Sequence, residues 1–192
     1  MPDSNSDPVK AILLAARRCY LRDGFQGTGM KEVAAEAGIA RSTLYRYFPN
    51  RDDLLVATVK RDMEAFNSRL GKKLAKFSAP EDMLVEGLIL AIRELPRQPL
   101  LRVVFASEED SRARRVVWGS DVIVGFGEEL MADVIEPASE AGILNDAVAP
   151  EVLVEWVYRL LLSFLTLPSN WVKTERELRA TLHALLVPVL LR

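Results

Sequence analysis

The sequence predicts an all-α protein, and three observations carry that reading. Apolar residues recur every three to four positions along nearly the whole chain, no run of alternating β-branched residues reads as a strand, and capping residues and prolines divide the chain into segments of helical length. With 192 residues, 49% apolar and 27% charged, the chain has enough material to bury a core, which excludes wholesale disorder.

The elements follow in order. Val9, Ile12, Leu13, Ala16 and Tyr20 mark one face of a first helix, with Asp7 as its cap and Pro8 in its first turn. Gly24 is expected to end it in a left-handed conformation, with Phe25 folding back as an apolar contact. Residues 1–7 are expected to be disordered. A short second helix is predicted from Met30 to Ala37, and a third from Arg41 to about Phe48. Asn50 caps a fourth helix with Asp53 at the reciprocal position, and the helix runs to about Gly71. A capping box at Ser78-Ala79-Pro80-Glu81 opens a helix to about Leu95, where Pro96 and Pro99 break the chain. A short helix (100–106), a long one (about 112–135), a helix from Pro150 to Leu167 and a last helix of about 174–187 complete the list.

Composition excludes several classes. The single Cys19 forbids an intrachain disulfide framework, and the single His183 leaves little for a metal site. No metal and no cofactor is expected. The first ten residues are polar and acidic, unlike a secretory signal, and Leu160–Leu167 falls far short of the ~20 residues of a membrane span. The chain is therefore expected to be soluble and cytoplasmic. Glu108-Glu109-Asp110 lacks a histidine partner and sits at a helix start, where acids suit the dipole. Net charge is −2, unevenly shared: residues 1–60 hold nine Lys/Arg against seven Asp/Glu.

That basic excess concentrates in Ile39–Arg51, which carries three arginines and no acid. The surrounding segment, Thr28 to Leu54, reads as two short helices joined by a tight turn. Val33, Ala34 and Ala37 give one small apolar face, Ile39 and Leu44 pack against it, and Gly38 suits the turn. The second helix then exposes Arg41, Ser42, Thr43, Tyr45, Arg46 and Tyr47, a surface of donors and aromatics suited to a polyanion.

The string AAEAGIARSTLYRYFPNRDDL resembles the helix-turn-helix of the tetracycline-repressor family, and the similarity extends upstream through ILLAARRCYLRDGF. It covers about residues 9–56. The resemblance implies an N-terminal three-helix DNA-binding domain over residues 1–52 and a larger C-terminal helical domain for effector binding and dimerisation over residues 53–192. It implies that Arg41, Ser42, Thr43 and Arg46 face the major groove and that Tyr45 and Tyr47 hold phosphates. Arg51 would take the place of a phosphate-clamping lysine, with Thr28 and Lys31 near the backbone. Gly29 and Ala40 depart from the family pattern, which often has Ser or Thr capping at these two places; Ala is a poor cap, costing roughly 0.5–2 kcal/mol against Ser.

In the C-terminal part, the helix over 150–167 is apolar nearly all round and must be buried on both sides. With the last helix it is expected to form half of a four-helix interface with a second copy, through Trp156, Leu160, Phe164, Leu178, Leu182, Leu185 and Val189. The resemblance implies the same homodimer, a palindromic double-stranded DNA operator and an inducer pocket. Candidates for that pocket are Met83, Phe105, Trp118, Phe126 and Met131, with Arg93 and Arg102 for an anionic group on a small apolar or amphipathic effector. The expected function is a ligand-responsive transcriptional regulator, a repressor by the commoner family behaviour. The alternatives are an all-α enzyme or a protein-binding adaptor with an incidental helix-turn-helix. No nucleophile–base pair, glycine-rich phosphate loop or metal-ligand spacing supports the enzyme.

Overall fold

The computed structural model describes residues 7–106 and 111–192, apart from the side chains of Val103, Phe105, Ala106, Ser111 and Leu130. The acidic cluster Glu108–Asp110 and the side chain of Phe105 lie outside the described residues. Among those described, the chain is helical, with no strand beyond an isolated antiparallel bridge between Leu144 and Leu191. The fold is all-α. Two compact units form: residues 1–63 with 99–122, and residues 64–98 with 123–192.

In the first unit, α1 (Pro8–Gly27) starts where Asp7 accepts the Val9 amide at 3.0 Å. Its expected stop at Gly24 is instead a kink. Gly24 takes φ 73° and ψ 169°, a region essentially reserved for glycine, and a further turn carries on to Gly27. Phe25 folds back onto Tyr20, ring centroids 5.0 Å apart. The short helices α2 (Met30–Glu36) and α3 (Arg41–Tyr47) follow, and α4 (Arg51–Leu74) begins at an Asn50 cap whose Oδ1 accepts the Asp53 amide at 2.8 Å. Arg17 on α1 grips Asp62 on α4 with Nε at 2.8 and 3.0 Å from the two carboxylate oxygens. Two further helices, α6 (Pro99–Ala106) and α7 (Ser111–Trp118), complete the unit and bury Leu100, Leu101, Val104, Ala113 and Val117.

Between α2 and α3 the chain reverses through a Schellman motif. The Ile39 amide donates to the Ala34 carbonyl at 3.0 Å and the Gly38 amide to Ala35 at 3.1 Å, while Gly38 sits at φ 68°. Nothing lies within 4 Å of a Cβ at position 38, so the demand for glycine there comes from the backbone angle alone.

The second unit holds α5 (Pro80–Glu94), a 3-10 turn (Leu95–Arg97), α8 (Val122–Glu140), α9 (Pro150–Thr166), α10 (Glu175–Leu185) and the short α11 (Val187–Leu190). Three sequence expectations are corrected. Ser78 does not cap α5; Ala79 stands at the cap with no side-chain bond, and Pro80, which needs no amide partner, fills the first turn. The single long helix over 112–135 is two, because the chain leaves helical geometry after Trp118, and Ser120 Oγ donates to the Val117 carbonyl at 2.6 Å. The last helix breaks at Leu186, as Pro188 cannot supply the amide that would continue it. In the core, Phe66 meets Phe126 with centroids 6.1 Å apart. A Cβ on Gly127 would lie 3.3 Å from Val154, so α8 and α9 approach closely there. Arg179 on α10 binds Glu86 on α5 at 2.6 and 3.1 Å.

Two glycines separate backbone demand from packing demand. Gly38→Ala is expected to lower the unfolding free energy by about 1–2 kcal/mol, the penalty of a left-handed Cβ. Gly125→Ala, mid-helix with open space around it, is expected to raise it by about 0.5–1 kcal/mol; urea denaturation of both variants checks the pair. The Arg179 hydrogen bonds hold the Glu86 carboxyl below its ordinary range near 4.5. Stability from this pair is present above that value and lost as pH falls through the lower folded one. Glu86→Gln is therefore expected to flatten the acid limb of the stability–pH curve.

Candidate nucleic-acid interface

The α2–α3 pair is anchored by small apolar contacts. Leu44 of α3 is fully buried, as are Val33 and Ala34 of α2, and Phe48 closes the end of α3. Burying position 44 turns its neighbours outward: Arg41, Ser42, Tyr45 and Arg46 are exposed, and Thr43 and Tyr47 half-buried. Both arginines are braced on aromatic faces. The Arg41 guanidinium lies 5.4 Å from the Tyr45 ring centroid and donates to its hydroxyl at 3.2 Å, and Arg46 lies 5.3 Å from the Tyr47 ring centroid. Such stacking limits rotamer freedom while leaving guanidinium donors open to a partner.

The nearby acids are engaged elsewhere. Glu36 at the end of α2 accepts from Arg18 at 2.6 Å and Arg22 at 3.0 Å, which hold its carboxyl below the ordinary range. Glu32 turns back on its own helix, where Oε2 accepts the Gly29 amide at 3.1 Å. This accounts for the missing hydroxyl at position 29. The carboxylate caps α2 in its place, and a Cβ there would meet Glu32 Oε2 at 2.8 Å. At position 40 no side chain substitutes; Ala40 leaves α3 without a side-chain cap.

Most of the residues expected to contact DNA lie at the exposed surface of these elements, Lys31 on α2 included. Thr28 does not. It is 1% exposed and its hydroxyl donates to the Gly24 carbonyl at 2.8 Å, because the kinked end of α1 leaves that carbonyl without a helical partner. Arg51 is half-buried at the start of α4 and lines a cavity of about 20 Å³ with Tyr20, Asp52 and Arg112. Burial raises the Tyr20 hydroxyl well above its ordinary range, and its oxygen is without a hydrogen-bond partner. The cavity has room for about one water. Sequence reading missed Arg112, whose guanidinium meets Asp52 at 3.3 Å. The run of arginines at 112, 114 and 115 was its only signal.

The expected effector and dimer residues are dispersed. Trp118 and Arg102 belong to the first unit, Met83, Arg93, Phe126 and Met131 to the second. Phe126 and Met131 are packed core, Met83 is half-buried, and Trp118 Nε1 donates to the Val104 carbonyl at 3.4 Å. Arg93 lines a cleft of about 270 Å³ on the second unit, together with Phe164 and Leu178. Leu178 and Leu182, expected at a face between copies, are instead buried in this chain's own unit, where α10 packs on α5. Trp156 (50% exposed), Leu185 (70%) and Val189 (44%) face outward, and Leu160 is half-buried. Within one copy α9 is therefore buried on one face and exposed on the other. Among the described residues no group of His, Cys, Asp or Glu is placed to hold a metal, and no helix is long and apolar enough to cross a membrane.

Comparison with known proteins bears on this geometry. Residues 12–58 match the family model described as bacterial regulatory proteins, tetR family. An uncharacterised HTH-type transcriptional regulator of Mycobacterium tuberculosis is 28% identical over 178 residues, covering 93% of this chain and 83% of that one. The HTH-type transcriptional repressor KstR of Rhodococcus jostii is 38% identical over 94 residues, 48% of this chain and 42% of its own. Among solved structures, the regulator FadR of Bacillus subtilis in complex with stearoyl-CoA shares the fold, with TM-score 0.58, 17% identity and coverage of 91% and 94%. The sequence relatives are named as regulators of transcription, not as enzymes. Residues 12–58 thus form a helix-turn-helix domain of the tetR type, and over most of its length the chain is similar to HTH-type transcriptional regulators.

Proposed function

We propose that this regulator is a cytoplasmic, ligand-responsive repressor that acts as a homodimer on a palindromic operator. The observation that carries the DNA-reading part is α3 itself: an exposed helix bearing Arg41 and Arg46 on aromatic braces, with the nearby carboxylates of Glu32 and Glu36 already engaged. Arg41, Ser42, Thr43 and Arg46 read base edges in the major groove, where an arginine fork matches guanine. Tyr45, Tyr47, Lys31 and Arg51 hold phosphates on either side, which fixes register without reading sequence. Thr28 drops out of this set, since its hydroxyl is spent within α1.

The functional division follows the sequence expectation, with residues up to about 52 reading DNA and the remainder serving association and effector binding. Exposed Trp156, Leu185 and Val189 support association, since large apolar side chains left in water favour a second copy. A two-fold dimer sets two α3 helices against half-sites about one helical turn apart. The repressor name of one relative and the stearoyl-CoA bound to one neighbour support repression relieved by an amphipathic effector. Differential affinity of about 1–3 kcal/mol between the two conformations shifts operator affinity about 5–150-fold.

Selection from random duplexes, followed by anisotropy titration on the enriched site, tests the reading; recovery of no preferred symmetric sequence would discard it. Arg46→Ala is expected to cost about 1–3 kcal/mol on the selected site and to relax its preference at one position. Arg51→Ala is expected to weaken all duplexes alike and to reduce the slope of log affinity against log salt by about 0.9. Trp156→Glu with Leu185→Glu is expected to give a monomer by light scattering and to lose the two-half-site complex.

A further inference from the structure

The second unit carries a cleft of about 270 Å³ where the end of α5, the end of α9 and the start of α10 meet. It is separate from the packed core around Phe126 and Met131. Ile92, Phe164, Leu167 and Val172 give it an apolar wall, Ser169 and Thr174 a polar one, and its charged residues are Arg93, Lys173 and Glu175.

Charge around this cleft opposes that of its surroundings. The second unit as a whole has eleven Lys/Arg and fifteen Asp/Glu. At the cleft the balance inverts. Glu94 is shared by Lys73 at 3.4 Å, Arg93 at 3.3 Å and Arg97 at 3.6 Å, so its charge is more than matched. Glu175 is divided between Arg93 at 3.4 Å and Arg179 at 3.0 Å. The Glu177 carboxylate is committed to the backbone amides of Lys173 and Thr174, both at 2.9 Å. Both Arg93 pairs are long and lie at the surface, where ion pairs contribute little, so its guanidinium can exchange one of them for a carboxylate held beside the apolar wall. The Lys173 side chain is exposed at the same edge.

The geometry points to a binding site for a medium-chain carboxylate, its tail on Ile92, Phe164 and Leu167 and its head group between Arg93 and Lys173. The site deepens the effector reading above, and its regulatory consequence rests on that reading. A buried apolar tail supplies affinity and the paired cations set orientation, the usual division of labour in a small-molecule pocket.

Calorimetric titration of the full chain with octanoate, 1-octanol and acetate tests the assignment. Octanoate is expected to bind saturably, one per chain, with octanol and acetate at least about tenfold weaker. Arg93→Gln with Lys173→Gln, both surface positions, is expected to remove that advantage while leaving octanol binding unchanged. Leu167→Glu is expected to weaken both octyl compounds. Equal affinity for octanoate and octanol, an unchanged double variant, or non-saturating uptake overturns the site. Octanoate binding that leaves operator affinity unaltered sustains the site and removes its regulatory role. Absence of octanoate binding in a protein that still holds its operator removes the site and leaves the DNA-reading function standing.

Discussion

Burial of Leu44, Val33 and Ala34 where α2 meets α3 is the constraint on which the exposed face of α3 depends. A seven-residue helix has too few internal hydrogen bonds to be stable alone, so α3 owes its existence to tertiary packing. Small side chains on α2 let the two helices approach, and the Gly38 Schellman turn fixes the direction in which α3 leaves. Once position 44 is pinned inward, the helical period turns positions 42 and 46 to the opposite side, and Arg41 is exposed as the first residue of the helix. Chemistry at the surface is thus dictated by packing beneath it.

Electrostatics completes what packing begins. A chain with net charge −2 gains no general attraction for a polyanion, so a local field must be built. Here that is done less by adding cations than by occupying anions. Arg18 and Arg22 close on Glu36, Glu32 closes on the Gly29 amide, and Arg112 sits against Asp52 beside Arg51. The same device recurs in the second unit, where shared carboxylates leave a cationic edge on an otherwise acidic body.

Legibility from sequence followed the range of the interaction involved. Helix spacing, the Asp7 and Asn50 caps and the Gly38 turn are local, and each stands where its neighbours in sequence placed it. Thr28 was misread because its hydroxyl looks equally suited to a phosphate or to a carbonyl four residues back, and only the kink at Gly24 decides between them. Leu178 and Leu182 form an apolar stripe that fits either α5 of the same chain or a second copy, and spacing alone cannot name the partner. The cleft beside Arg93 was invisible for a similar reason, since its walls come from three separated segments.

Glu32 has one more effect. By folding onto the first amide of α2 it sets a negative charge where a helix would ordinarily welcome an anion. The Gly29 amide is thereby spent, and an anion approaching that turn would find the exposed Lys31 ammonium as its partner in place of the cap amide.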